Sequence, residues 1–244
     1  MSSPRPLAAT EARGALRPPA NTEDRLVERY AQMAHSFEGR AVDRALRGLD
    51  VTLAVVGLTL GAPVMAIAAI GLRVSGRGPL LYRGLRVGKA GHIFHMVKFR
   101  TLAPDAETRL GPYLGPELTQ LTSGEVTRLG RVLRATKVDE LPQLWNVLRG
   151  DMSMVGPRPI RPAFFEQLCY EIPDYWQRLV IRPGVTGLAQ LRLTREMSWS
   201  EKLAHDFEYI ADRSARLYLF VIVTTVWLLL SRPFLREVRD YRLP

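Results

Sequence analysis

Cysteine occurs once in this chain of 244 residues, as Cys169, and lysine four times, as Lys89, Lys98, Lys137 and Lys202. A lone thiol excludes an internal disulfide and any cysteine-held zinc or iron–sulfur centre, which fits a reducing compartment. Histidine is equally scarce, with four copies. His92 and His95 fall three apart on a predicted strand, a spacing that points them to opposite faces, so they read as surface residues rather than metal ligands. No Gly-x-x-x-x-Gly-Lys loop, Gly-x-Gly-x-x-Gly stretch or Ser-His-Asp arrangement occurs, which sets aside the common nucleotide-binding loops and serine-type acyl transfer. Acidic residues are the minority sign, 24 against 34 basic ones, for a formal charge of +10. Thirty of those 34 cations are arginine, the side chain that grips phosphate oxygens with two prongs. The partners of such a chain are polyanions: nucleic acid, anionic lipid headgroups or phosphorylated small molecules.

One long uncharged run chooses among them. Residues 51–72 (VTLAVVGLTLGAPVMAIAAIGL) carry no charge, and 22 residues at about 1.5 Å each cover the roughly 30 Å hydrocarbon core of a bilayer. Lipid is therefore preferred over nucleic acid. Arginines crowd both ends of the run, Arg40, Arg44 and Arg47 before it and Arg73, Arg77 and Arg83 after it. The excess of positive charge that marks a cytoplasmic flank thus gives no orientation. Pro63, near the middle, removes a helix hydrogen bond. A helix that enters, bends at Pro63 and returns to the same anionic leaflet accounts for both features. A bent single pass accounts for the proline alone.

The remaining chain has the composition of a globular protein, 47% hydrophobic and 24% charged, and the length of one domain with an extension. Residues 1–21, rich in Pro, Ala and Arg, predict a disordered tail. Thr22, the acidic pair Glu23 and Asp24, and apolar residues at helical spacing up to Phe37 predict a short amphipathic helix stopped by Gly39. A turn at residues 75–79 leads to a small β-hairpin of residues 80–82 and 92–99 around a turn at 88–91. A polar loop at 113–129 turns helical toward Arg134, and helices follow at 142–148, 162–170 and 199–210. Residues 217–230 are apolar, but 14 residues span only about 21 Å, so they suit an interfacial or core helix. The fold class expected is α+β, mainly helical. It is a compact domain with a small hairpin, anchored by one re-entrant, proline-broken helix and by amphipathic interfacial helices. Residues 1–40 form the tail and amphipathic helix, and residues 41–244 the main domain, with the membrane helix at 51–72.

Asp139 and Glu140 stand just before Leu141 and Pro142, where a helix begins. One reading makes Asp139 a helix cap. The other notes that a helix N-terminus lowers carboxylate pKa values and attracts anions, and that Arg131, Arg134, Lys137 and Arg149 lie nearby. Ionised carboxylates beside a bound diphosphate repel it, and a divalent cation, Mg²⁺, shared between them resolves the conflict. Farther on, Gly156-Pro157-Arg158-Pro159 fixes the direction of Arg158. The stretch from Arg182 to Gly187 repeats the device with glycines whose N–H groups can approach an anion.

These blocks carry a resemblance. RGLD ahead of a proline-broken apolar run, SGRGPLLYRGLRVGKAGHIFHMVKFRTL, RLGRVLRATKVDELPQLWNVLRGDMSMVGPRP, RPGVTGLAQ and SWSEKLAHDFEYI follow one another as in the bacterial sugar transferase family, the monotopic polyprenyl-phosphate phosphoglycosyl transferases. The match runs from about Arg47 to Arg232, and the chain resembles the minimal catalytic form. The resemblance implies transfer of a sugar 1-phosphate from a UDP-sugar to undecaprenyl phosphate with Mg²⁺, releasing UMP, at the cytoplasmic face of the bacterial inner membrane. It makes Asp139 the nucleophile of a covalent aspartyl phosphosugar and Glu140 a metal ligand or base, with Asp139 and Glu140 together as the metal pair. Lys98, Arg134 and Arg158 are implied as phosphate holders, and Arg182, Gly184, Thr186 and Gln190 as lining of the nucleotide or sugar pocket. Arg100 and Asp151 complete the substrate-binding set, and Pro63 marks the membrane bend. Anionic lipids, a homo-oligomer and downstream glycosyltransferases are the further partners implied, and nucleic acid is not among them. The family's Ser-Pro pair at the bend is Ala62-Pro63 here, and its Asn-Gly-Arg stretch after RPGVTGLAQ is Leu191 to Arg195. The competing reading is a membrane-anchored, non-catalytic binding or scaffold protein with a basic surface, in which Asp139 only caps.

Overall fold

The computed structural model describes residues 39–76, 78–103, 106, 124–192 and 197–240. The tail and amphipathic helix expected at residues 1–38, and residues 113–123 of the polar loop, lie outside them.

Helix α1, Val42–Val74, contains the uncharged run and extends past both of its ends. Asp43 in its first turn and Arg73 in its last complement the helix dipole. The helix is continuous across Pro63 and does not break there. A mid-helix proline forfeits one hydrogen bond, which a long apolar helix tolerates. After Ser75, Gly76 (φ 148°) and Gly78 (φ 128°) take conformations open to glycine and end the run.

One face of α1 is buried through Leu46, Asp50, Ala54, Ala68 and Leu72. Glycines on the helix let leucines of the globular part approach closely. A Cβ at Gly57 would stand 2.9 Å from Leu144, at Gly61 3.6 Å from Leu141, and at Gly71 3.2 Å from Leu129. The domain therefore packs on α1 both before and after Pro63. The other face is apolar and open, with Leu60, Ile67 and Ile70 each more than 60% exposed. Among the described residues α1 alone is long and apolar enough to cross a membrane.

Strands β1, Leu81–Val87, and β2, Ile93–Phe99, form the antiparallel hairpin, with Tyr82 opposite Lys98 and Arg86 opposite Phe94. Phe94 and Met96 face a core shared with Ala54, Leu144, Val147 and Met152. Strand alternation puts Lys98 next on that same face. Helix α2, Arg128–Thr136, starts at Thr127, whose hydroxyl accepts from Gly130 N–H, and stops at Lys137 in the left-handed region (φ 61°). A 3₁₀ turn, Val138–Glu140, follows, and then α3, Gln143–Arg149. Asn146 of α3 accepts from Val97 N–H (3.0 Å) and donates to His95 O (2.8 Å), sealing the free edge of β2.

A second sheet was not legible beforehand: β3, Ser153–Val155, pairs in parallel with β4, Gly184–Thr186. Three-residue strands are too short to show a period. Around it lie α4 (Pro162–Glu171), a 3₁₀ segment (Pro173–Val180), α5 (Leu188–Arg192), α6 (Trp199–Asp212) and α7 (Ala215–Asp240). Buried Arg178 of the 3₁₀ segment pairs with Asp206 of α6 at 2.7 Å and fixes one to the other. Helix α7 turns Tyr218 and Val221 inward and shows Leu219, Phe220, Val223, Trp227 and Leu230 outward, a stripe at helical period.

The joint between α1 and this domain is polar and buried. Asp50 Oδ1 accepts from Ser153 Oγ, Met154 N–H and Tyr218 OH, each at 2.8 Å. One turn earlier, Arg47 donates to Val147 O (2.6 Å), which also accepts from Gly150 N–H, and to Leu148 O (2.9 Å), both in the last turn of α3. Asp50→Ala strands three buried donors and is expected to lower stability by about 3–5 kcal/mol, against about 1 kcal/mol for Tyr218→Phe. Thermal unfolding of both variants in detergent measures this, and an Asp50→Ala midpoint equal to wild type would dismiss the joint.

Candidate active site

The left-handed Lys137 reverses the chain out of α2, and the 3₁₀ turn that follows carries Asp139 and Glu140 under the hairpin. Glu140 Oε1 lies 3.1 Å from Lys98 Nζ and 3.7 Å from Lys137 Nζ. Asp139 is 7% exposed, and its Oδ1 meets no donor among the described residues. The capping reading fails on geometry: Pro142 holds the N-cap position of α3, and no side chain bonds there.

Two neighbouring carboxylates thus have opposite electrostatics. Burial, followed by the Glu140 charge, pushes the Asp139 carboxyl above the usual carboxylate range, against the pull of Lys98, Lys137 and Arg134. Burial acts on Glu140 too, but Lys98, Lys137 and Arg158 together outweigh it and hold Glu140 below its ordinary value. The lowering expected of both is found only for Glu140, where it comes from Lys98, Lys137 and Arg158 rather than from a helix N-terminus, and it is reversed for Asp139 by burial and by the Glu140 charge.

The cations converge. Burial pushes Lys98 down, Glu140 opposes this, and the Arg158 guanidinium adds to it, so Arg158 stands close to both. Arg134 donates through Nε to Thr101 Oγ1 at 2.8 Å and feels the Asp139 charge. Arg158 NH1 reaches Gln190 Oε1 at 3.3 Å, while Gln190 Nε2 is buried without an acceptor among the described residues. The Arg158 loop is fixed on two sides. Gly156 N–H donates to Thr186 O and Gly184 N–H to Pro157 O, both at 2.9 Å, and Val87 N–H donates to Ile160 O. A Cβ at Gly184 would stand 2.1 Å from Gly156 N, so glycine is required for this crossing of two backbones. The Gly184 amide is accordingly engaged inside the protein and not open to an anion. Beside Arg158 lies a small, open depression bounded by Val87, Gly88, Pro157, Ile160 and Pro183.

The remaining expected residues lie apart from this cluster. Arg182 Nε donates to Gly150 O (2.7 Å), and Asp151 accepts from Asn146 Nδ2 (3.1 Å) beside Arg149, both at the far end of α3 from Asp139. Thr186 Oγ1 bonds Thr225 of α7 at 2.8 Å. Arg100 continues the hairpin edge, its N–H donating to Leu80 O. Tyr82 and Arg86 were missed. They share the Lys98 face, and Arg86 is lowered by burial and by the nearby charges of Arg161 and Arg158, with Tyr82 opposing. The hairpin register gives them: Tyr82 is the partner of Lys98, and steps of two forward along β1 reach Gly84 and then Arg86 on the same face. His92 and His95 are both exposed. No group of three or more His, Cys, Asp or Glu gathers among the described residues.

Residues 42–232 match the model of the family described as bacterial sugar transferase. A UDP-glucose:undecaprenyl-phosphate glucose-1-phosphate transferase of Caulobacter vibrioides is 40% identical over 198 residues, covering 78% of this chain and 72% of the relative. A UDP-N-acetylgalactosamine-undecaprenyl-phosphate N-acetylgalactosaminephosphotransferase of Aeromonas hydrophila is 36% identical over 76% of this chain, which spans 43% of that longer protein. The exopolysaccharide production protein PSS of Rhizobium leguminosarum bv. phaseoli is 35% identical over 74% of this chain and 92% of the relative.

The raised Asp139 carboxyl has a stability consequence. Between its unfolded and folded pKa the folded state binds more protons, so stability falls as pH rises through that window and stays lower above it. Asp139→Asn removes the buried charge and is expected to unfold at or above the wild-type midpoint at neutral pH, the gap closing on acidification. Thermal scans from about pH 4 to about pH 8 test this; a variant several degrees less stable at the upper end would contradict it.

Proposed function

The chain belongs to the bacterial sugar transferase family, and on that premise we propose that it transfers a sugar 1-phosphate from a UDP-sugar to undecaprenyl phosphate. The carrying observation is Asp139: a buried carboxylate with an unpartnered oxygen, ringed by cations that do not bond that oxygen. A binding surface for anions has no use for such a group, whereas a nucleophile needs it.

In the first step an Asp139 oxygen attacks the sugar-bearing phosphorus. The new O–P bond forms as the bond from that phosphorus to the bridging oxygen breaks, and UMP leaves with the electron pair. In the second, a phosphate oxygen of undecaprenyl phosphate attacks the same phosphorus, the Asp139–phosphorus bond breaks, and undecaprenyl-diphosphate-sugar departs with the carboxylate regenerated. Lys98, Arg134 and Arg158 neutralise phosphoryl oxygens throughout, and Glu140 is kept ionised by Lys98 and Lys137. The two carboxylates suit a hard cation, since the orphaned Asp139 oxygen and Glu140 offer acceptors and a diphosphate supplies the rest. Mg²⁺ held by Asp139, Glu140 and the diphosphate would offset phosphate charge.

The setting proposed is the cytoplasmic face of the bacterial inner membrane, with α1 returning to the face it enters through a bend at Pro63 that leaves the helix continuous. Both halves of α1 pack on one polar domain, which supports both helix ends lying on that domain's side of the bilayer. The open apolar faces of α1 and α7 would meet the lipid. Cys169 is buried and its thiol is pushed up to about 12 by burial, so it stays silent to thiol reagents. Cysteines placed at Arg44 and at Ser75 are expected to label from the same side of sealed vesicles. Labelling from opposite sides would establish a single pass instead.

Protein in nanodiscs, given a panel of UDP-sugars, undecaprenyl phosphate and Mg²⁺, is expected to release UMP with at least one donor. Asp139→Ala is expected to lower that rate by about 10³-fold or more, and chelation of the metal to suppress it. A fully active Asp139→Ala would end the covalent mechanism. Silence with every donor from folded protein would favour the binding-protein reading.

A further inference from the structure

Gln143 opens α3 four residues after Asp139, and the bonds Leu141 N–H to Val138 O and Leu144 N–H to Leu141 O keep the intervening chain helical. Those bonds run from residue i to i+3, so the stretch is 3₁₀, and Gln143 stands one such turn after Glu140, on the side that Glu140 presents to Lys98 and Lys137. Asp139 and Gln143 are both buried, at 7% and 2% exposure. Gln143 Nε2 finds no acceptor, and Asp139 Oδ1 no donor, among the described residues. Buried amide donors without acceptors are rare in folded proteins because each one is destabilising. Asn146, one turn on, shows a carboxamide in structural use: it accepts from Val97 N–H and donates to His95 O and Asp151 Oδ2. Among the described residues Gln143 Nε2 makes no such bond, and an apolar side chain of equal length would fill its place without that penalty. The amide is left to an acceptor from outside them, which an oxygen-rich ligand supplies.

The chemistry around the turn selects the ligand. Lys98, Lys137, Arg134 and Arg158 favour an anion, and the oxygens of a phosphoryl group are acceptors that match an open N–H pair. We propose that Gln143 is a further substrate-contacting residue, whose Nε2 donates to a non-bridging oxygen of the sugar-bearing phosphate while that phosphorus exchanges bonds at Asp139. The inference rests on the phosphosugar-transfer reading above. A neutral donor has a distinct task there: it favours charge developing on the phosphoryl oxygen without tightening the hold on Asp139 that another cation would impose.

The test uses full-length protein in nanodiscs and the variants Gln143→Met, which keeps length and loses the donor, and Gln143→Glu, which replaces the donor by a charged acceptor. Two quantities are read: the thermal midpoint without substrate, and the rate of UMP release from a UDP-sugar in the absence of acceptor lipid. Gln143→Met is expected to unfold at or above the wild-type midpoint while releasing UMP about 10- to 10³-fold more slowly, with Gln143→Glu slower still. A midpoint several degrees lower for Gln143→Met, with normal turnover by the fraction still folded, would assign Gln143 a structural role and overturn the proposal. So would a wild-type rate in Gln143→Met, which leaves the transferase reading intact. Failure of wild type itself to release UMP would remove both.

Discussion

A single carboxylate oxygen holds the apolar helix to the domain. Asp50 Oδ1 gathers donors from β3 and from α7, and Arg47 one turn away closes the end of α3. A buried carboxylate is tolerable only when its lone pairs are filled, so this contact fixes α1, β3 and α7 in one relative position. From it follows the packing farther along α1, where Gly57 and Gly61 admit Leu144 and Leu141. Among the described residues, three of the four apolar clusters contain residues of α1. The helix whose one face is apolar and open is therefore the spine of the domain on the other. The position of the Asp139 turn relative to α1 is set by that packing.

At the site, adjacent residues of one turn are given different tasks by their surroundings. Glu140 faces Lys98, delivered by the alternation of β2, and Lys137, delivered by the left-handed exit from α2. Asp139 faces the interior and is left with an open oxygen. Burial and the Glu140 charge raise it, and the nearby charges of Lys98, Lys137 and Arg134 limit the rise. Arg158 is aimed by a loop whose glycines are needed because two backbones cross within van der Waals contact. Those glycines act on the anion site indirectly, by holding an arginine in place, and not through their own amides.

Sequence alone determined the elements whose signals are local or long. The uncharged run, the hairpin, the helices at 142–148, 162–170 and 199–210 and the Asp139-Glu140 pair with its basic neighbours were all legible, because periodicity and charge are properties of contiguous chain. The order of the motifs was enough to carry the family. Tertiary structure decided what depends on residues far apart. The β3–β4 sheet consists of strands too short to show a period, and it forms because the Gly156 and Gly184 loops can approach. The roles within the basic set were likewise sorted in space: Lys98 pairs with Glu140, the charges of Arg134 and Arg158 act on Asp139 and Glu140 without a bond, and Arg182 and Asp151 serve the far end of α3. Burial decided that Asp139 is raised rather than lowered, a quantity no one-dimensional pattern contains, since desolvation depends on what the rest of the chain places around a group.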